Sequence, residues 1–166
     1  MGVTFEVKSS GGDETYPADL DSIKVAEFLA VKKANWFTDI HDQEILITAD
    51  TVVIVDDNVL GKPKDKEEAF SMIQTLSGNT HQVVTGVCLK SNQKTVSFDS
   101  VTEVTFKNLS TNLIDYYIDT YQPYDKAGSY GIQEWIGMIG ITQIKGSYFN
   151  VMGLPTDLLF DALDNF

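Results

Sequence analysis

Ile45-Leu46-Ile47-Thr48-Ala49-Asp50-Thr51-Val52-Val53-Ile54-Val55 is the stretch on which the fold turns. Eight of its eleven residues are β-branched, the shape that packs well on a pleated surface. A run so continuously apolar belongs to a strand covered on both faces. Asp50 interrupts it. A lone ionised carboxylate in such a strand is costly unless it is paired, hydrogen-bonded or bound to a metal. Asp50 is therefore either a structural residue at a bulge or a group with chemistry to do.

Working outward, residues 22–37 have helical periodicity, with Ala26, Leu29, Ala30 and Phe37 on one stripe. Lys33 lies in the middle of that stripe and Lys32 on its flank. Lys33 either snorkels at the core edge or aims a cation into a cleft. Residues 3–8 read as a short opening strand, followed by a turn over Ser9-Ser10-Gly11-Gly12-Asp13. Downstream, Asp56-Asp57-Asn58 turns the chain into Val59-Leu60-Gly61-Lys62-Pro63. Asp65 with Glu68 resembles a capping box, and the helix after it carries Ala69, Met72, Ile73 and Leu76 on one face, ending at Gly78. Residues 82–90 and 95–106 read as a hairpin, and 111–120 as a helix capped by Ser110. Six of the twelve glycines then crowd between Gly128 and Gly153, the density of bends and close backbone approach. A last helix over 156–164 should bury Leu158, Leu159, Ala162 and Leu163. Strands interleaved with helices define a layered α/β domain, and the 82–106 hairpin makes its sheet mixed.

The chain has 166 residues, 43% hydrophobic and 22% charged, enough for a single domain with its own core. Its net charge of −12 disfavours nucleic acid or an anionic membrane as partner. All twelve cationic residues are lysines. Phosphate would have to be met by lysine, backbone N–H groups or a metal, because no guanidinium fork is present. The single cysteine, Cys88, excludes an internal disulfide and reads as a small core residue. No apolar run is long enough for a membrane span, and a soluble cytoplasmic protein is the expectation.

The P-loop spacing, GxSxG, HExxH and GxGxxG are all absent. His41 and His81 have no ligand-like spacing, and His81, opening a strand, reads as structural or as a hydrogen-bond donor behind a site residue. What remains is a set of polar residues in apolar surroundings: Lys33, Asp50-Thr51, Lys62 before Pro63, Asp125-Lys126 and Gln133. Carboxylates that activate water or hold a divalent ion, with lysines that neutralise phosphate, suit phosphoryl-type hydrolysis.

Ala49-Asp50-Thr51-Val52-Val53, Leu60-Gly61-Lys62-Pro63-Lys64-Asp65 and Leu76-Ser77-Gly78-Asn79-Thr80-His81 resemble segments of the Maf family of nucleoside triphosphate pyrophosphatases. Thr85-Gly86-Val87, the run from Asp125 to Gln133, and that from Gly146 to Pro155 continue the resemblance in order. Asp13-Glu14 and Leu29-Ala30-x-x-Lys33-Ala34 fit earlier elements. The resemblance implies an elongated mixed β-sheet flanked by helices, with two lobes around a nucleotide cleft. It implies hydrolysis of a nucleoside triphosphate to monophosphate and pyrophosphate, assisted by a divalent cation such as Mg or Mn. On that resemblance Asp50 is the proton acceptor for water, Lys33 and Lys62 contact phosphate, and Glu14 and Asp50 hold the metal. Thr51 and Gln133 fall at positions tied to base choice. The Gly-Ser-Tyr-Gly-Ile-Gln and Gly-Ser-Tyr-Phe-Asn-Val forms are similar to the subgroup acting on dTTP and UTP, with modified pyrimidine nucleotides in the same class. The family also implies a homodimer.

One departure is visible. Family members carry a Ser-x-Ser-Pro-Arg-Arg loop ahead of the segment resembling Gly2–Val7, and this sequence starts after it. The resemblance thus implies one Maf-like domain over 1–166, truncated at its N-terminus and weakly active or inactive as it stands. A catalytically impaired nucleotide-binding or regulatory protein of the same fold is the alternative expectation.

Overall fold

The computed structural model describes residues 2–9 and 11–166. Its elements run α1 (Val25–Ala34), β1 (Leu46–Val55), β2 (Asn58–Leu60), α2 (Lys66–Leu76), β3 (Thr80–Lys90) and β4 (Thr95–Phe106). They continue with α3 (Thr111–Tyr121), α4 (Trp135–Gly140), β5 (Ile141–Lys145), α5 (Tyr148–Val151) and α6 (Thr156–Asp164). The strands form one sheet in the order β2-β1-β3-β4-β5.

The expected strand forms over almost the whole apolar run, and its pleat explains why both faces are apolar. Val52 and Ile54 pack with Val84 against Val25, Ala26 and Leu29 of α1. Val53 and Val55 point the other way, into a larger core with Ala69, Ile73 and Leu76 of α2 and Ile114, Tyr117 and Ile118 of α3. Each fully buried aliphatic side chain of this kind contributes roughly 1.5–3 kcal/mol. Cys88 is a buried core residue against Ala30 and Ala34, as its strand position suggests. Among the described residues no helix is long and apolar enough to cross a membrane.

The α/β class and the helix-flanked sheet are as expected. The four strand pairings among the described residues are all antiparallel, so no parallel pair lends the sheet mixed character there. The reason lies in the connections. Two tight hairpins reverse the chain directly, and the helical crossovers bring β3 and β5 back antiparallel to β1 and β4.

Other expectations shift locally. Residues 3–8 form no strand: Phe5 and Val7 are 76% and 86% exposed, and no strand among the described residues pairs with them. β-propensity without a neighbouring edge makes no ladder. Ser10 of the expected Ser9–Asp13 turn lies outside the described residues. Asp65 caps α2 through Glu68 N, while Glu68 accepts from Lys64 N, one residue before the cap. Ser110 sits at the start of α3 but makes no side-chain capping bond. In α6 only Leu159 is buried, and Leu158 is 39% exposed, because the helix packs one narrow face onto Val87 and Leu89.

Candidate active site

Asp50 sits in mid-β1, directly opposite Gly86 of β3. Its pleat parity points it to the α1 side of the sheet, where Lys33 in the last turn of α1 donates to its carboxylate. The same ammonium reaches Glu14 at 3.1 Å. Three residues from three separate segments therefore meet at one point. Gly86 makes the meeting possible: a Cβ there would overlap the backbone of Ala26 and Glu27, so only glycine lets α1 lie this close to β3.

The electrostatics follow from burial. Desolvation pushes the Asp50 carboxyl above its ordinary range, against the pull of the Lys33 ammonium. Burial also opposes the charge on Lys33, but Asp50 and Glu14 more than offset it, and the lysine pKa ends raised. Glu14, more exposed, is held below its usual value by its hydrogen bond from Lys33. Lys32 faces away and binds the segment that carries Glu14, donating to Asp13 at 3.1 Å and to Thr15 O at 2.7 Å.

Beside this cluster lies a cleft of ≈ 390 Å³, bordered by Asp50, Thr51, Lys62, Lys126, Gln133 and Gly153 among others. Lys62 is exposed on its wall, ahead of the buried Pro63. Its loop is tied across the cleft by Gly128 N donating to Gly61 O at 3.0 Å. Gly128 has φ +64°, and a Cβ there would press within 2.9 Å of Val53, so glycine alone suits the position. Thr51 projects from the opposite face of β1 to Asp50, with its hydroxyl 2.9 Å from that of Thr85. Gln133 is exposed at the rim.

Every residue singled out from the sequence thus borders the cleft or the cluster beside it. The reading missed the device that holds Lys126. Its ammonium bonds Glu134 at 3.2 Å and Asp125 at 2.8 Å, and Tyr117 OH donates to Glu134. Asp125-Lys126 had stood out as polar, but nothing in local sequence pairs Lys126 with Glu134 or with Tyr117 on α3. His81 is structural: its Nε2 meets Tyr130 OH at 2.7 Å inside the core.

Among the described residues no group of three or more His, Cys, Asp or Glu gathers to hold a metal unaided. The donor chemistry of Glu14 and Asp50 nonetheless fits a hard divalent cation. Such ions are commonly held by one or two carboxylates, with water and substrate phosphates supplying the remaining oxygens.

The α/β sheet thus carries a cleft lined by Lys62, Lys126, Asp50 and Asp125, with Lys33 and Glu14 in the cluster beside it, an arrangement whose cations suit a small polyanion. This chain belongs to the Maf family: the family model described as "Maf-like protein" matches residues 1–166. It is 55% identical over 170 residues to a dTTP/UTP pyrophosphatase of Porphyromonas gingivalis, covering 100% of this chain and 85% of that protein. It is 52% identical over 165 residues to one of Phocaeicola vulgatus, covering 98% and 86%. A third, from Flavobacterium psychrophilum, is 49% identical over 166 residues, covering 99% and 85%.

Proposed function

We propose that this chain hydrolyses dTTP and UTP to the monophosphate and pyrophosphate, a reading supported by relatives named dTTP/UTP pyrophosphatase. The observation that carries the reading is the convergence of Lys33, Asp50 and Glu14 beside a lysine-walled cleft. Asp50 is the general base. It takes a proton from water as the water oxygen bonds the α-phosphorus and the bond to the bridging oxygen breaks, releasing pyrophosphate. Burial, by raising its pKa, makes this carboxylate a stronger base than a solvated one. Lys33 keeps Asp50 oriented and, with Lys62, offsets the charge of the triphosphate. Glu14 and Asp50 would hold a divalent cation, Mg or Mn, which when bound neutralises phosphate charge. Thr51 and Gln133 meet the base. A nucleoside triphosphate substrate supports reading the activity as cytoplasmic.

The test is pyrophosphate release by the purified chain from dTTP, UTP, CTP, ATP and GTP in the presence of Mg or Mn. Turnover of dTTP and UTP ahead of the others is expected. Preference for a purine triphosphate would reject the subgroup, and binding of dTTP without release of pyrophosphate would make the chain a nucleotide-binding protein instead.

A further inference from the structure

Thr51 and Thr85 stand directly opposite each other in the β1–β3 ladder, on the same face of the sheet. Thr85 is fully buried, and its hydroxyl carries one proton. That proton is committed: Thr85 Oγ1 donates to the backbone carbonyl of Asn150 at 2.9 Å, and a carbonyl oxygen can only accept. Asn150 cannot swing away, because it is fully buried and its Nδ2 donates to Val83 O at 3.1 Å and Thr102 Oγ1 at 2.9 Å. The 2.9 Å contact between the two threonine hydroxyls therefore has one polarity: Thr51 donates and Thr85 accepts. Thr51 is left with lone pairs only. Gly153 keeps the approach open, since a Cβ there would sit in van der Waals contact with Thr51 Oγ1, at 3.6 Å.

We propose that Thr85 is a specificity-positioning residue: by fixing Thr51 as a hydrogen-bond acceptor toward the cleft, it selects a base that presents a ring N–H. This rests on the reading of the chain as a nucleoside triphosphate pyrophosphatase, and it names the chemistry by which that site chooses among pyrimidines. Uracil and thymine carry a proton on N3, between two carbonyls. Cytosine carries a lone pair there, which would face another lone pair. Gln133 cannot make this distinction alone. Its exposed amide has both a donor and an acceptor end and can turn over to match either edge. Discrimination needs a group of fixed polarity, and the Asn150–Thr85–Thr51 relay supplies one.

The experiment compares kcat and KM for UTP and CTP in the wild type, Thr85→Ser and Thr85→Val, with 3-methyl-UTP as a further substrate of the wild type. The wild type should favour UTP over CTP and reject 3-methyl-UTP, which has no N3 proton. Thr85→Val removes the acceptor, frees the Thr51 hydroxyl to donate into the cleft, and should lower the UTP:CTP ratio by roughly tenfold or more, chiefly through KM. Thr85→Ser keeps the relay and should keep the ratio. A purely structural role for Thr85 would lower both activities together and leave the ratio alone, which would overturn the proposal. If Thr85→Val does not fold, as judged by its melting curve, the analogue decides: turnover of 3-methyl-UTP at the UTP rate overturns it, and rejection supports it. A wild type that favours UTP, with an unchanged ratio in folded Thr85→Val, refutes the relay and leaves the proposed function standing. A wild type that releases no pyrophosphate from any nucleotide refutes both.

Discussion

The Lys33 ammonium, on the last turn of α1, donates to the Asp50 carboxylate in the middle of β1, across 17 residues of sequence. Each is mostly withdrawn from water, with side-chain exposures of 19% and 13%. Neither charge would be stable there alone. Glu14 completes the group, 3.1 Å from the same ammonium.

Asp50→Asn should lower turnover by about 10²–10⁴-fold while the protein stays folded, because the amide cannot accept the proton of water. The wild-type rate should also fall with decreasing pH. Since burial raises the Asp50 pKa, the acid limb of kcat/KM should lie above 3.8, the ordinary aspartate value. Activity is present above that limb and lost below it. In Lys33→Ala the favourable neighbour is gone and the limb should move to higher pH. A pH–rate profile of both proteins checks this, and an unmoved limb would separate Asp50 from the titration.

The two adjacent lysines should behave differently. Lys33→Ala should reduce kcat/KM severely, as it removes the cation beside the base. Lys32→Ala touches neither Asp50 nor the cleft directly, but it releases the Asp13–Thr15 segment that presents Glu14. A smaller loss is expected, seen mainly as a higher metal concentration for half-maximal rate. Metal titrations of the two variants distinguish these roles, and identical behaviour would indicate a general effect of positive charge.

Gly86→Ala should damage stability and activity together. The added methyl overlaps the α1 backbone, and overpacking of this kind costs about 1–3 kcal/mol. The helix must lift, and Lys33 lifts with it away from Asp50. A melting curve and a rate measurement on one preparation are sufficient. Full activity in a destabilised variant would show that the pair survives a displaced helix.

His81 should make the fold acid-sensitive. Burial lowers its pKa from 6.5 to about 4, so the native state stays neutral where the unfolded chain takes up a proton. Between those two pH values the unfolded state binds more protons, and stability falls as pH falls. The full shift corresponds to about 3 kcal/mol lost by pH 4. Asp50, with a raised pKa, contributes the opposite slope above 3.8, so the comparison with His81→Gln is the decisive one. Melting temperatures from pH 7 to 4 should decline less steeply in the variant, by roughly 2–4 °C per kcal/mol removed.

What local sequence determined was considerable. The β-branched run around Asp50 defined a doubly covered strand, and the apolar periodicity around Lys33 defined a helix with one charge out of place. Both are short-range signals, fixed by side-chain shape and by a repeat of two or 3.6 residues. The ordered motifs from Asp13 to Pro155 also identified the family, because each keeps its chemistry within a few residues. The failures were equally physical. The apolar residues in 3–8 suggested a strand, yet a strand exists only where another edge accepts its hydrogen bonds. The burial expected of Leu158 depended on how α6 lies on the sheet, which its own periodicity does not encode. Only tertiary structure decided that Gly86 brings α1 against β3, that Glu134 and Tyr117 hold Lys126, and that Asn150 reaches Thr51 through Thr85. Those relations join residues far apart in the chain. They depend on ladder register and helix approach, and these are set by the packing of the whole core rather than by any one segment.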